Sequence, residues 1–219
     1  MNHQPTEISA EGYYDHDQSG LLDLVKGSPR SVLEIGCAGG NILRHYIDAG
    51  AERVTGVEYV PNIAERARAR CPEARIFTGD VDAVPIEDIG RDYDLLVASF
   101  VLEHVTDPWK TLGRLRDALR PGGQFVGALP NVRHWAVTLP LLLGGRWDYQ
   151  DEGVLDRTHY RFFTRRSIVG LLGDCGFERI ETRPVLGGGK TWLADKLTLG
   201  LARDHLGYAY RFSAFKPAA

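Results

Sequence analysis

The segment Val32-Leu-Glu-Ile-Gly-Cys-Ala-Gly-Gly40 constrains this chain more than any other, because a short apolar run breaks there into a glycine-rich turn. Ser31 to Ile35 has the length and apolarity of a strand buried on both faces, as central strands of α/β sheets are. Gly36 lets the backbone turn sharply, and Gly39 and Gly40 put no Cβ in the way of a ligand or of the next helix. Asn41 to Ala49 reads as that helix, with Gly50 at its C′ position. Arg53 to Val57 reads as a second strand, and Glu58 stands at its carboxyl end, where a carboxylate accepts both hydroxyls of a ribose. Turn and acid together place a nucleotide-like ligand at the end of a parallel sheet.

Two ligand classes use this geometry, and spacing separates them. A dinucleotide fingerprint needs G-x-G-x-x-G or A, and Gly36, Ala38 and Asn41 do not fit it. The segment resembles motif I of the class I S-adenosylmethionine (SAM) methyltransferases, an acid followed by G-x-G-x-G, on Glu34, Gly36, Ala38 and Gly40. Ala38 departs from the family's middle glycine.

The resemblance follows the order of elements along most of the chain. A helix opened by Pro61 and a strand at Ala74 to Phe77 lead to Thr78-Gly-Asp80-Val-Asp82, where Asp80 matches the acid that pairs with the adenine amino group. Asp92 to Ser99 reads as a fourth strand, and Phe100-Val-Leu-Glu-His-Val105 looks like the segment flanking the methionine part of the cofactor. Asp107 as N-cap and Pro108 at N1 open a helix with Trp109, Leu112, Leu115 and Leu119 on one face. The Leu119-Arg-Pro-Gly-Gly123 turn, frequent in the family, leads into a fifth strand at Gln124 to Leu129. Glu178 to Val185 and Tyr208 to Phe215 alternate as the last two strands, the final one inserted antiparallel as the family requires. The resemblance thus implies an α/β fold, a doubly wound, Rossmann-like seven-stranded sheet. It implies SAM as cofactor, held by Glu34, Gly36, Cys37, Ala38, Gly39, Gly40, Glu58, Tyr59, Asp80, Val81, Ser99 and Phe100.

Composition bounds the rest. A chain of 219 residues suits one domain, 1–219. A net charge of −3 gives no broad basic footprint, so nucleic acid is a poor partner. The three cysteines, Cys37, Cys71 and Cys175, show neither metal-ligand spacing nor a disulfide framework, which fits reduced thiols in the cytoplasm. No N-terminal stretch has a charged start followed by an apolar core, so no secretory signal is expected, and the apolar run Trp135 to Leu143 is interrupted by Pro140 and too short to span a bilayer. Peripheral membrane contact and a homodimer stay open.

Pro130 to Phe163 is a connection far longer than the few residues usual between elements. In methyltransferases this position commonly builds the substrate wall, so the insertion at about 131–163 reads as a lid carrying Trp135, Leu139, Leu141, Leu142, Leu143, Trp147 and Tyr149. The structural alternative is a helical insertion that thickens the core. The next helix, Thr164 to Cys175, has Thr164 as N-cap and a Phe163 to Ile168 staple. Within the insertion Asp156-Arg-Thr-His-Tyr-Arg-Phe-Phe163 resembles a D-x-T-H-x-R-F-F segment of bacterial methyltransferases encoded among polysaccharide-assembly (O-antigen) enzymes, and Pro130-Asn131 fits the same group.

The reading is a SAM-dependent methyltransferase that O-methylates a hydroxyl of a sugar, nucleotide sugar or glycan intermediate. A lipid, quinone or other small metabolite is the alternative acceptor, and a non-catalytic binding subunit on the same fold is the alternative class. The Asn- or Asp-Pro-Pro-aromatic motif of nucleobase amino-methylases is missing at Ser99-Phe-Val-Leu102, and the thiols are poorly arranged for arsenic methylation. His159 is the first candidate base, with Asp156 three residues earlier to orient it in a helical turn, and His104 and His134 are the reserves. Asn131, Arg133, Trp135, Arg157, Tyr160 and Arg161 are the substrate-binding candidates. Arg133, Arg146, Arg157 and Arg161 either bind an anionic acceptor or pair with Asp148, Asp151, Glu152 and Asp156. No metal is assigned; a metal-dependent reaction would draw on Asp151, Glu152, Asp156 and His159.

Overall fold

In the computed structural model, which describes residues 19–218, the apolar run around Leu33 lies inside a seven-stranded sheet of order β3-β2-β1-β4-β5-β7-β6. The outermost residues of the domain expected over 1–219 fall outside that range. Helix α1 (Ser19–Leu22) precedes β1 (Ser31–Ile35), α2 (Asn41–Asp48), β2 (Arg53–Glu58), α3 (Pro61–Arg70), β3 (Arg75–Thr78), α4 (Ile86–Ile89) and β4 (Tyr93–Ser99). A 3-10 turn (Leu102–His104), α5 (Pro108–Ala118), β5 (Leu119–Pro130), α6 (Trp135–Gly144), α7 (Arg165–Asp174), β6 (Glu178–Leu186), α8 (Gly188–Leu197), α9 (Arg203–Leu206) and β7 (Gly207–Phe215) complete the chain.

Strands β1 to β5 run parallel, and β7 lies antiparallel between β5 and β6. Strand order reverses between β1 and β4, so the crevice beyond their carboxyl ends is the topological switch point, where open α/β sheets bind ligands. Both faces of the sheet are covered, as parallel sheets require. Leu112 and Leu115 of α5 and Ile168, Leu171 and Leu172 of α7 pack with Leu33, Leu96 and Phe125 on one side, and Leu21, Ile42 and Tyr46 pack with Val32, Leu95 and Val97 on the other.

Most elements start where local chemistry starts them. Asp107 caps α5 by accepting from the Lys110 N–H at 3.1 Å, and Pro108 follows at N1. Thr164 caps α7 in a reciprocal box with Ser167, and Phe163 and Ile168 share the buried cluster behind it. Gly50 has φ 87°, as a residue just past a helix end requires.

Two expectations need correction. Trp109 is exposed, its indole N–H directed at Asp174 at 3.4 Å. Leu119 pairs with Tyr93 as the first residue of β5, and the register shift between Tyr93 and Leu95 absorbs the Pro-Gly-Gly bend, with Gly122 at φ 71°. Between β6 and β7 the chain forms α8 and α9.

At the amino end of the sheet one carboxylate joins three strands. Asp94 accepts from the backbone N–H groups of Arg30 and Ser31 at 2.8 and 2.9 Å, from Ser31 Oγ at 3.0 Å and from Arg120 Nε at 2.6 Å. Partial burial alone would raise its pKa, but these donors outweigh that and hold it at about 2, against an ordinary 3.8. A depressed carboxylate stabilises the fold fully above its unfolded value and loses that contribution as pH falls through the folded one. Asp94→Asn is therefore expected to remove on the order of 1–2 kcal/mol at neutral pH, after allowance for solvent screening. Urea titrations should show wild type converging on the variant between about pH 4 and pH 2.

Candidate functional site

The turn after β1 is bound to the end of β2 through a buried acid. The backbone N–H groups of Gly36 and Cys37 both donate to the Val57 carbonyl, at 2.8 and 3.1 Å. Glu58, 4% exposed, accepts from the Ala38 N–H through one oxygen and from the Val60 N–H through the other, both at 2.9 Å. Burial raises its pKa, and the backbone donors at Val60, Ala38 and Tyr59 offset part of the rise.

Backbone conformation explains the glycines. Gly36 has φ 68°, and a Cβ there would meet Val101 Cγ2 at 2.5 Å. Gly40, the N-cap of α2, has φ 82°. Ala38 has φ 47°, in the left-handed region that disfavours side chains, so the position where the resembling motif has glycine favours it here too, although alanine occupies it. The contact of Val101 with Gly36 spans the switch point, bringing the segment after β4 against the turn after β1.

The other expected ligand contacts are unevenly disposed. Ala38, Gly39, Phe100 and exposed Tyr59 border the turn and strand ends. Asp80 is exposed, its carboxylate accepting from the Asp82 N–H at 2.8 Å, and Val81 is buried beside it. Ser99 ends β4 and is half-buried. Glu34 and Cys37 lie deeper: Glu34 is 3% exposed, approached by the Leu43 N–H, with Oε2 unpartnered. Burial, and then the charge of Glu58, push Glu34 well above the usual carboxylate range. Burial likewise pushes the Cys37 thiol up, so it is an unreactive thiol.

Across the crevice, the 3-10 turn meets the end of the insertion. The Glu103 carbonyl accepts from the N–H groups of Tyr160 and Arg161 at 2.8 and 3.1 Å. The His104 and His159 rings stand edge to face, 4.8 Å between centroids. His159 is not oriented by Asp156, contrary to expectation. The segment forms a tight turn in which His159 N–H donates to the Asp156 carbonyl at 3.0 Å, while the Asp156 carboxylate accepts from Thr158 N–H and Oγ1, each at 2.7 Å. The Val154 carbonyl, 3.1 Å from His159 Nδ1, sets that ring, and the Thr158 carbonyl, 3.3 Å from His104 Nδ1, sets the other. A carbonyl only accepts, so each Nδ1 carries the hydrogen and each Nε2 its lone pair. Burial lowers the pKa of both histidines, further for His104 through His159 beside it. His134 occupies the N-cap position of α6, with its ring against Trp135.

Glu103 was missing from the sequence reading. It is 1% exposed, and neither carboxylate oxygen has a hydrogen-bond partner. Burial pushes it up to about 8, which its own backbone N–H tempers and the charge of Asp156 reinforces. Its signal in the sequence was its place beside His104; its partner His159 lies too far along the chain for any motif to pair them.

The substrate-binding candidates do not converge. Asn131 is fully buried and saturated, donating to the carbonyls of Asp204 and Gly207 at 2.8 and 2.7 Å and accepting from the Arg133 N–H, so it fixes the end of β5 to α9. Each arginine is engaged: Arg133 with Asp204, Arg146 with Asp148, Arg157 with Asp151, and Arg161 with the Thr106 carbonyl. Asp151 and Glu152 are exposed and do not join His159. Tyr160 and Trp135 are exposed, as are Leu139, Leu141, Leu142 and Leu143 of α6, which buries only Val137. Helix α6 runs through Pro140, its sixth residue, which cannot donate the helical hydrogen bond to the Ala136 carbonyl. Trp192, Leu193 and Leu197 of α8 form a second exposed apolar stretch.

Comparison with known proteins agrees with this geometry. Residues 13–182 match a family model described as a methyltransferase domain. An uncharacterized 37.1 kDa protein in transposon TN4556 of Streptomyces fradiae is 29% identical over 85% of this chain and 55% of its own length. The chain thus spans little more than half of that relative. A ubiquinone biosynthesis O-methyltransferase of Cereibacter sphaeroides is 26% identical over 85% of this chain and 73% of its own. In fold, the chain is similar to an S-adenosylmethionine dependent methyltransferase from Mesorhizobium loti, with a TM-score of 0.65 at 20% identity over 90% of this chain and 96% of that one.

The turn geometry makes a paired prediction. Gly36→Ala forces a Cβ into Val101 at an unfavourable φ and is expected to cost about 1–3 kcal/mol. Ala38→Gly relieves a left-handed alanine and should stay within about 1 kcal/mol of wild type. Urea unfolding of the two variants checks both.

Proposed function

The chain belongs to the methyltransferase domain family, and we propose that it transfers the methyl group of S-adenosylmethionine to a hydroxyl of a small acceptor. The contact of Val101 with Gly36 carries this reading, because it joins a nucleoside-binding turn to a proton-accepting segment across the switch point.

The turn Gly36 to Gly40 receives the cofactor against its main chain, with Tyr59, Ser99 and Phe100 at its border and Asp80 and Val81 on the adenine side. Glu58 accepts from the backbone at Ala38 and Val60, and the carboxylate lone pairs not used by the backbone accept a ribose hydroxyl. Glu34 and Cys37 position the turn from beneath. The sulfonium already activates the methyl group, so holding an acceptor oxygen in line with it supplies much of the acceleration, up to about 7–11 kcal/mol in favourable cases. The acceptor O–H must also lose its proton, and the unprotonated Nε2 atoms of His104 and His159 support a role for that cluster in the loss.

The whole chain works in this reading as one domain, with the 131–163 insertion as its acceptor wall. The glycan acceptor and the polysaccharide-assembly setting rest on sequence resemblance alone, and the engagement of all four arginines weighs against an anionic acceptor. A second reading, an acceptor with an apolar part such as a quinone or lipid, is favoured by the exposed leucines of α6. The ubiquinone-pathway relative points the same way.

Incubation with methyl-labelled SAM and a fractionated bacterial extract tests the proposal. Label in the lipid fraction selects the apolar acceptor, label in soluble sugars restores the glycan, and no transfer to any fraction refutes the transferase reading. His159→Ala should keep cofactor binding and lose turnover by about tenfold or more, as measured in single turnovers.

A further inference from the structure

We propose that Glu103, His104 and His159 form a binding site for one first-row divalent cation of the zinc class. One donor atom from each of the three lies within 4.8 Å of the others. Ligands about 2.0–2.2 Å from such an ion sit no more than roughly 4 Å apart, so small side-chain rotations close the set around it. Two imidazoles and one carboxylate are a donor set that first-row divalent cations favour over calcium or magnesium.

Two independent observations point to a cation rather than to a base alone. The Glu103 carboxyl group is buried with neither oxygen hydrogen-bonded, and a buried polar group left without a partner is costly in either protonation state. No hydrogen bond joins it to either imidazole, whereas a shared cation satisfies all three at once. The second observation is the outer layer. Metal-bound histidines nearly always donate their other N–H to a carbonyl or carboxylate, and here His104 Nδ1 faces the Thr158 carbonyl and His159 Nδ1 the Val154 carbonyl. The Asp156 carboxylate, by accepting twice from Thr158, fixes the loop that carries both contacts.

With three protein ligands, the cation keeps open positions for an acceptor oxygen. This role rests on the methyltransferase reading; the site itself does not. A hydroxyl bound there becomes more acidic and gives its proton to solvent. The oxygen then forms its bond to the methyl carbon as the carbon–sulfur bond breaks, and the sulfonium leaves as a neutral thioether.

The test is titration of chelator-treated full chain with ZnCl2 by calorimetry and with CoCl2 by visible absorption. The expected result is one cation per chain, cobalt d–d bands without sulfur charge transfer, and binding weakened about tenfold or more in Glu103→Gln and in His104→Asn. Circular dichroism confirms that each variant is folded, and the wild-type stoichiometry and spectrum decide the existence of the site should either variant unfold. No saturable binding to wild type, thiolate-to-cobalt charge transfer, or unweakened binding in both folded variants would overturn the proposal. S-adenosylhomocysteine binding is measured on the same samples: its absence from wild type refutes the methyltransferase reading while leaving the cation result to stand or fall by itself.

Discussion

The buried carboxylate of Glu58 is the constraint on which the rest of the site depends. Its two oxygens hold the backbone of Ala38 and Val60, so the turn after β1 and the end of β2 move as one piece. That pairing fixes the turn in which Gly36, Ala38 and Gly40 adopt positive φ, and orients α2 behind it. It also presents Gly36 to Val101 at the point where strand order reverses. Without it, the glycine-rich loop would be free to sample the many conformations that glycine permits.

Three glutamates, Glu34, Glu58 and Glu103, are buried near the carboxyl ends of β1, β2 and β4, and burial raises the pKa of each. None has a lysine or arginine partner among the described residues. Proteins bear this expense at functional sites more readily than in structural cores. A region that keeps carboxylates without basic partners suits cationic ligands, and the sulfonium of SAM is one. The amino end of the sheet shows the opposite economy, since Asp94 there is matched by four donors.

The sequence made the centre of the sheet legible because β1, β2 and β4 are short and mostly apolar and each leads to a helix whose start is marked, by Gly40, Pro61 and Asp107. The glycine turn was legible for the same reason: conformations that exclude side chains leave glycines behind. The site beyond the turn was less so. The pairing of Glu103 and His104 with His159 joins residues far apart in sequence, and only tertiary structure brings them together. Asp156 looked like an orienting acid by spacing alone, but a tight turn rather than a helix sends its carboxylate to Thr158. Arginine clustering was equally ambiguous, because the acids that neutralise these side chains include Asp204, distant in sequence and on α9.

The most direct test of the central claim is a crystal structure of the chain with S-adenosylhomocysteine. The account requires the ligand to lie along Gly36 to Gly40, with its ribose hydroxyls on Glu58 and its sulfur facing the segment Phe100 to His104. Density for the ligand anywhere else on the protein, or a ribose that leaves Glu58 untouched, would contradict it.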